Sequence, residues 1–351
     1  MSFIRKPSVN HSQAPTNRVG LRRRDYEGGM STLCAGCGHD SITAAFVQAF
    51  WELNVEPHRV AKMSGIGCSS KTPAYFLSQA HGINTVHGRM PSIATGAGAA
   101  NRDMYFVGVS GDGDSLSIGL GQFAHAIRRN LDMLYVIENN GVYGLTKGQF
   151  SASADIGSKS KRGEANQQRP IDPVALGINL GATFVARSFS GDKAQLVPLI
   201  KAGLSHRGFS LIDVMSPCVT FNDHEDSTKS YAYTRQFYHP AIHTDFIPAY
   251  DPIEADGGGG EAIRVDLHDG THLMLKAVSD DYDPTDRGGA FRYVTEHRSR
   301  GQVVTGLLYL NEEKEDMHAQ NRTSQRPLRD LGYDKLNPGS EALGKILSRY
   351  R

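Results

Sequence analysis

Short apolar runs alternate with amphipathic segments along the first two thirds of the chain. The runs MYFVGVS (104–110) and MLYVIEN (133–139) are almost continuously apolar, which is typical of strands that are buried on both faces of a sheet. Between residues 39 and 54, apolar side chains recur at near-helical spacing. This pattern predicts a helix there.

The same alternation continues towards residue 310. It predicts a short strand within 58–71, a helix within 87–101, a helix over 115–129, a strand at 184–188, a helix near 192–206, and strands at 209–216 and 301–310. Strands that alternate with helices indicate an α/β fold, a mostly parallel sheet with helices on both faces.

Four chemically distinctive residues each follow the end of a predicted strand. They are Cys68, Asp112, Asn140 and Cys218. Because ligands of parallel α/β sheets bind beyond the carboxyl ends of the strands, we expect these side chains to converge at one edge of the sheet.

Charge and hydropathy exclude several classes of function. The 351 residues contain 38 Lys and Arg against 37 Asp and Glu, so no general electrostatic attraction to nucleic acid or acidic membranes is expected. No apolar run approaches the ~20 residues that span a bilayer, and the N-terminus lacks the apolar core of a signal peptide. We therefore expect a cytoplasmic protein.

The most specific stretch is GDGD (111–114), which follows a buried strand and opens a predicted helix. The next strand ends in two asparagines, Asn139 and Asn140. Neighbouring parallel strands would place Asp112 beside Asn140, and Mg²⁺ prefers such oxygen ligands together with phosphate oxygens. The backbone carbonyl of Val142 is the expected third protein ligand.

Glycines and a helix start surround this predicted magnesium site. Gly111 and Gly113 let the backbone approach a ligand closely, and the following helix start offers N–H donors to an anion. The pattern resembles the diphosphate and magnesium motif of the thiamine diphosphate-binding fold. The alternative interpretation is a tight turn and an asparagine turn without a ligand.

The chain has only four cysteines, namely Cys34, Cys37, Cys68 and Cys218. The first two form a Cys-x-x-Cys pair, which in a cytosolic protein more often binds metal or does redox chemistry than forms a disulfide. Four thiolates suit either zinc or an iron–sulfur cluster. Because the other two cysteines lie far along the chain, the spacing favours a [4Fe–4S] cluster over zinc.

Five motifs together resemble the β subunit of the 2-oxoacid:ferredoxin oxidoreductases, most closely the 2-oxoglutarate branch. They are CAGCGHD (34–40), SGIGCSSK (64–71), HGRMPSIATGAG (87–98), SGDGDSLSIGLGQFAHAIRRN (110–130) and ENNGVYGLTKGQ (138–149). The resemblance implies the thiamine diphosphate-binding fold of the diphosphate-binding (PP) type with a C-terminal extension. It also implies oxidative decarboxylation of a 2-oxoacid with coenzyme A.

The resemblance further implies a role for each matching residue. The four cysteines would hold one [4Fe–4S] cluster, and Asp112, Asn140 and the carbonyl of Val142 would bind Mg²⁺. The diphosphate site would be lined by Gly67, Ser69, His87, Gly113 and Asp114. Lys71, Leu145 and Thr146 would face the substrate, although an ordinary solvated lysine is an alternative for Lys71.

Partners follow from the same resemblance. The carboxylate that activates thiamine comes from another subunit in this family, so an α subunit is expected, with the active site at the interface and an αβ or (αβ)₂ assembly. Electrons would pass from the cluster to ferredoxin. Two alternatives are a non-redox thiamine-dependent decarboxylase or carboligase with structural zinc, and a non-catalytic scaffold subunit. Both 2-oxoglutarate and pyruvate are possible substrates.

Three regions are expected along the chain. Residues 1–24 carry several arginines and no acid, and they form either a basic arm or a solvated tail. Residues 25–225 would hold thiamine diphosphate, Mg²⁺ and the cluster. Residues 226–351 would complete this domain and contact the partner subunit.

Overall fold

A computed structural model of the chain describes residues 13–160, 162–248, 263–267, 269–277 and 282–350. In chain order, the strands are β1 (Val60–Ser64), β2 (His81–Asn84), β3 (Tyr105–Gly111), β4 (Met133–Asn139), β5 (Val142–Tyr143), β6 (Gln149–Phe150), β7 (Phe184–Phe189), β8 (Phe209–Met215), β9 (Tyr238–Pro240), β10 (Ile242–Ile247), β11 (Ile263–Asp266), β12 (His272–Ala277) and β13 (Val303–Leu310).

Helices connect or flank most of these strands. They are α1 (Gly38–Glu52), α2 (Met90–Ala100), α3 (Leu120–Arg128), α4 (Pro173–Leu180), α5 (Lys193–Ser205), α6 (Tyr231–Phe237), α7 (Arg287–Ser299), α8 (Met317–Asn321), α9 (Tyr333–Leu336) and α10 (Gly339–Leu347). In the part of the chain that the structure describes, none of the helices has the length and apolar character needed to cross a bilayer.

Eight strands form the main sheet, in the order β2-β1-β3-β4-β8-β7-β13-β9. Every neighbouring pair is parallel except β7 with β13, which is antiparallel. The residues of β4, β8 and β13 are buried throughout, as expected for strands covered on both faces. The prediction of a mostly parallel α/β sheet is confirmed.

Two layers of helices cover the sheet. On one side α1 packs against α5, which also contacts β10, and on the other α2, α3, α4 and α7 contact one another in succession. Aromatic side chains fill the core under α1, where the rings of Phe46 and Phe76 stack with their centroids 4.7 Å apart. The carboxyl ends of the strands, which these layers leave uncovered, are where the site lies.

Most predicted elements are present, with two differences in detail. The helix predicted over 115–129 is divided into a π-helical turn, Gly113–Ile118, and the regular helix α3. The strand predicted at 301–310 is β13, and its antiparallel direction was not predicted. A three-stranded antiparallel sheet in the order β10-β12-β11 was also missed.

The predicted basic arm lies partly outside the described residues, since the description begins at residue 13. The described part contacts the end of α1. The side-chain amide of Asn17 donates to the carbonyl oxygen of Trp51 at 3.0 Å, and the Trp51 indole donates to the carbonyl oxygen of Leu21 at 3.2 Å.

Candidate active site at the carboxyl edge of the sheet

A cavity of about 90 Å³ lies where β1, β3 and β4 end. Its lining contains twelve of the residues predicted from sequence, namely Gly67, Cys68, Ser69, His87, Gly111, Asp112, Gly113, Asp114, Asn140, Val142, Leu145 and Thr146. The expectation that strand-end residues converge is therefore met for these residues. The other predicted residues, Lys71, Cys34, Cys37 and Cys218, do not line the cavity itself.

Asp112 is a buried carboxylate of this cavity, with 1% of its surface exposed. Its Oδ2 accepts hydrogen bonds from the hydroxyls of Ser151 and Ser153, and from the backbone N–H of Gly141 at 3.1 Å. Burial raises the pKa of Asp112, and the two serine hydrogen bonds oppose that rise. Among the described residues, all three bonds fall on Oδ2, which leaves Oδ1 available to a cation.

The loop after β4 approaches Asp112 directly through Gly141. Within this loop, the side-chain oxygen of Asn140 accepts from the N–H of Val142 at 3.1 Å, which forms a local asparagine turn. Val142 then begins a hairpin in which β5 pairs with β6. The hairpin brings Leu145 and Thr146 to the rim of the cavity, and the Leu145 side chain is exposed.

Asp114 ties three loops together at the cavity. Its Oδ1 accepts from His87 Nδ1, from the N–H of Gly88 at 2.7 Å and from the N–H of Ile66 at 3.2 Å. Its Oδ2 accepts from the hydroxyl of Ser110 at 2.5 Å. Asp114 lines the cavity as predicted, but its hydrogen bonds identify it as the residue that orients the surrounding backbone.

Gly113 makes room for a protein side chain as well as for a ligand. A Cβ on Gly113 would lie 2.5 Å from the ring of Tyr143, a contact too close for any side chain. The Tyr143 hydroxyl donates to the carbonyl oxygen of Gly113 at 2.9 Å. The glycine therefore allows the β5–β6 hairpin to close over the start of the π-helical turn.

The four cysteines come from three parts of the chain; Cys68 lines the cavity, and the other three lie beside it. Cys37 precedes α1, Cys68 precedes a 3₁₀ turn over Ser69–Ala74, and Cys218 follows β8. All four thiols are free; Cys34 is exposed and the other three are partly exposed. A Cβ on Gly144 would lie 3.5 Å from the Sγ atoms of both Cys68 and Cys218, an ordinary contact distance, so both sulfurs lie close to this glycine.

The thiols are close enough for their charges to interact. Burial is the main cause that raises the pKa of Cys37 to about 12, and negative charges on Glu138 and Cys218 contribute to this rise. The pKa of Cys68 is raised by burial and then by Cys218, with Cys34 contributing, and burial also raises the pKa of Cys218. Thiols in such a cluster stay protonated unless bound metal stabilises the thiolates.

Lys71 lies next to this cluster, and its backbone N–H donates to the carbonyl oxygen of Cys68 at 3.1 Å. Its positive charge lowers the pKa of Cys68. The turn that carries Lys71 is held from below by Lys62 of β1, which is 5% exposed. The Lys62 ammonium donates to the carbonyl oxygens of Pro73 (2.7 Å), Phe76 (2.5 Å) and Leu77 (2.8 Å). All three ammonium donors are thereby satisfied.

Sequence reasoning did not assign a role to Glu138 or His39, which both line the cavity. His39 Nδ1 lies 3.4 Å from Glu138 Oε2 and 2.6 Å from the hydroxyl of Ser216. Burial raises the pKa of Glu138 well above its usual value and lowers the pKa of His39 to about 4. Burial therefore disfavours the charged form of each side chain.

Ser151 and Ser153 were missed as well, because a Ser-x-Ser pair has no distinctive spacing. Within the described part of the chain, no three His, Cys, Asp or Glu side chains are arranged so that they could hold one metal ion together. The predicted magnesium set contains a single side chain of these types, Asp112, because its other ligands are an amide oxygen and a backbone carbonyl.

Comparisons with known proteins agree with the fold. Residues 65–214 match the family described as "Thiamine pyrophosphate enzyme, C-terminal TPP binding domain". The chain is 41% identical over 222 residues to "2-oxoacid:ferredoxin oxidoreductase subunit beta" of Saccharolobus solfataricus, which covers 63% of this chain and 70% of that protein. It is 38% identical over 220 residues to "2-oxoglutarate oxidoreductase subunit KorB" of Mycobacterium tuberculosis, covering 62% and 58% respectively.

A solved structure is similar over nearly the whole chain. It is the 2-oxoglutarate:ferredoxin oxidoreductase from Magnetococcus marinus, with 2-oxoglutarate, coenzyme A and succinyl-CoA bound. The TM-score is 0.72 at 29% identity, and the similarity covers 94% of this chain and 96% of that one. The fold and the matched segment define a protein with a thiamine diphosphate-binding domain. The chain belongs to the β subunits of the 2-oxoacid:ferredoxin oxidoreductases.

Proposed function

We propose that this β subunit, with an α subunit, oxidatively decarboxylates 2-oxoglutarate with coenzyme A and passes the electrons through one [4Fe–4S] cluster to ferredoxin. The observation that carries the proposal is the position of four free cysteines beside the cavity that contains Asp112 and Asn140. The bound state of the Magnetococcus marinus enzyme supports the choice of substrate and of coenzyme A. The cytoplasmic location stays a prediction from the sequence.

The donors at the cavity fit Mg²⁺ and a diphosphate. The available Oδ1 of Asp112, the side-chain oxygen of Asn140 and the carbonyl of Val142 would hold the cation, with phosphate oxygens completing its coordination. Gly67, Ser69, His87 and the turn from Gly111 to Gly113 would surround the diphosphate. When bound, thiamine diphosphate supplies the nucleophile and the electron sink for decarboxylation.

The residues of this chain would then orient the reactants and exclude water. Asp114 holds the loops that bear Ile66 and Gly88. Lys71 would offer its ammonium to a carboxylate of the 2-oxoacid, and Leu145 and Thr146 would close the substrate side of the cavity. A distal carboxylate distinguishes 2-oxoglutarate from pyruvate, and a cation is the group that would recognise it.

The cysteines fit a cluster on chemical grounds. Four thiolates are the usual ligands of a [4Fe–4S] cluster, and the iron would supply the positive charge that these desolvated thiols lack. A cluster beside the thiamine site would accept electrons one at a time. The exposed position of Cys34 would bring this cluster near the surface, where ferredoxin could receive them.

We propose that the C-terminal extension contacts the α subunit. The segment from Leu328 to Tyr350 exposes a series of large apolar side chains, which soluble proteins rarely leave uncovered in one place. They are Leu328, Tyr333, Leu336, Leu343, Ile346, Leu347 and Tyr350. A chain that ends at residue 325 should bind the α subunit more weakly in size-exclusion chromatography, and unchanged binding would contradict this contact.

The test of the main proposal uses the complex of both subunits, purified without oxygen. We expect close to four iron and four sulfide per β subunit, and an EPR signal after reduction with dithionite. Ferredoxin reduction should then depend on 2-oxoglutarate and coenzyme A, and it should be slower with pyruvate. Zinc in place of iron, with no EPR signal, would favour the non-redox alternative instead.

A further inference from the structure

A single turn after β8 contacts both parts of the candidate site, namely the cysteines and the loop that bears Asn140. It runs from Cys218 to Asn222, and the backbone N–H groups of Phe221 and Asn222 both donate to the carbonyl oxygen of Cys218, at 3.2 and 2.9 Å. The hydroxyl of Thr220, within the same turn, lies 3.5 Å from the sulfur of Cys34. The turn therefore contains one of the four cysteines, Cys218, and contacts a second, Cys34.

The side chain of Asn222 reaches from this turn to the loop after β4. It is 4% exposed, and its Nδ2 donates to the carbonyl oxygen of Asn140 at 2.7 Å. The next N–H along the chain, that of Gly141, donates to Oδ2 of Asp112. An unbroken series of hydrogen bonds therefore connects Cys218 to Asp112 through Asn222.

Gly141 adds a steric part to this contact. Its φ is +72°, in the left-handed region that favours glycine. A Cβ at this position would lie 2.7 Å from Nδ2 of Asn222 and 3.2 Å from Cγ of Lys229. The amide of Asn222 thus packs directly on the backbone of the loop that bears the predicted magnesium ligands.

We infer that Asn222 is a positioning residue that fixes the distance between the cluster-binding turn and the magnesium-binding loop. The inference rests on the proposed function, because it assumes that both centres are bound. Without the Asn222 amide, the buried carbonyl of Asn140 loses its donor, and a buried group without a partner is costly. The loop would then shift relative to Asp112, and the turn would shift relative to Cys34.

The test compares Asn222→Ala with wild type in the complex with the α subunit. Two quantities are measured: the Kd of thiamine diphosphate with Mg²⁺, by calorimetry after the cofactor is removed, and the EPR spectrum and midpoint potential of the reduced cluster. We expect thiamine diphosphate to bind about tenfold more weakly. We also expect a shift of the cluster signal in the same variant.

Asn130→Ala is the matched control. Asn130 is also a buried amide that donates to backbone carbonyls, those of Lys314 and Glu315 at 3.3 and 3.1 Å, but it lies at the opposite edge of the sheet. Its replacement should lower the thermal stability and leave both the Kd and the EPR spectrum unchanged. If Asn222→Ala likewise lowers only the thermal stability and leaves the Kd and the EPR spectrum unchanged, the inference is overturned.

A double-mutant cycle tests the contact from its other side. Gly141→Ala should weaken thiamine diphosphate binding, partly through the clash with Nδ2 of Asn222. In the Asn222→Ala background that clash is absent, so Gly141→Ala should cost less there. Additive effects overturn the inference, and Gly141→Ala alone tests the same contact if Asn222→Ala does not assemble.

The failure of the inference is distinguishable from that of the proposed function. A wild-type complex without an iron–sulfur signal or without thiamine diphosphate binding overturns the proposed function, and the inference with it. A wild-type complex with both signals, together with an Asn222→Ala variant that keeps both or changes only one, overturns the inference alone.

Discussion

The parallel strands of the main sheet begin at one edge, here called the amino edge, and end at the carboxyl edge. Both edges contain buried polar groups, yet these groups have different partners. At the amino edge, the side-chain oxygen of Asn130 accepts from the N–H of Phe209 and from Thr183, both at 2.9 Å, and its amide donates to two carbonyls. At the carboxyl edge, the described bonds of Asp112 leave one oxygen available, and four cysteines are free.

Cavity size does not separate the two edges. The amino edge has the larger cavity, about 300 Å³, lined by residues that include Arg59, Asp132, His206 and Arg207. The cavity at the carboxyl edge is about 90 Å³. The comparison teaches that ligand atoms left without a partner beside a glycine-rich turn indicate the candidate site. The volume of a cavity and the burial of charge indicate it less well.

The largest effect is expected from Cys68→Ser. A serine hydroxyl is a poor replacement for a cluster thiolate, so the complex should lose the EPR signal and essentially all ferredoxin reduction. His206→Gln, at the amino edge, is the control and should keep both. Normal iron content in the Cys68→Ser complex would contradict the assignment of this cysteine.

The next effect is expected from Asp112→Ala compared with Asp132→Asn, a buried and a partly buried carboxylate at opposite edges. Loss of the Asp112 carboxylate would remove the charged ligand proposed for Mg²⁺ and should weaken thiamine diphosphate binding about 100-fold or more. Asp132→Asn should leave that affinity unchanged. Calorimetric titration of both variants makes the comparison, and equal affinities would remove the distinction between the edges.

A smaller and more selective effect is expected from Lys71→Met. If its ammonium binds the distal carboxylate, kcat/KM should fall about 10- to 100-fold for 2-oxoglutarate and much less for pyruvate. Lys71→Arg, which keeps the charge, should recover part of the loss. A similar fall for both acids in steady-state assays of ferredoxin reduction would assign Lys71 to another role.

The smallest effect concerns stability at the amino edge. Burial raises the pKa of Asp132 to about 6, opposed by a hydrogen bond from the N–H of Gly208. The folded state therefore holds the Asp132 proton more tightly than the unfolded state, and stability is lost as pH rises from about 4 to 6. Asp132→Asn should raise the free energy of unfolding at pH 7.5 by up to about 3 kcal/mol. The melting temperature should rise accordingly.

The same variant should show no gain below about pH 3, where Asp132 is protonated in both states. Melting temperatures measured across this range check the sign. A gain that does not depend on pH would mean that the charge of Asp132 has no part in it.

Much of the fold could be predicted because its buried strands carry a strong local signal. β3, β4 and β8 are apolar runs that stop at a turn, so their limits were nearly correct. The edge strand β2 was missed because its residues are exposed and show no alternation. The antiparallel direction of β13 was not accessible, since the pattern of one strand does not encode the direction of its neighbour.

The site divides in the same way. Asp112, Asn140 and the cysteines could be predicted because the ligand chemistry expected of them constrains spacing along the chain. Ser151, Glu138 and Asn222 were missed because they act through contacts with residues distant in sequence. For example, the hydroxyl of Thr72 donates to Oε1 of Glu138 at 3.0 Å. Only the folded arrangement relates such residues to each other.

The framework around the cavity bears on how the subunit is assembled. Every donor that holds Asp114 is supplied by the polypeptide itself, as is every acceptor around the Lys62 ammonium. The framework around the cavity is thus self-supporting, so synthesis of the subunit and its maturation are separable events. Insertion of the proposed [4Fe–4S] cluster would then follow folding of the subunit instead of driving it.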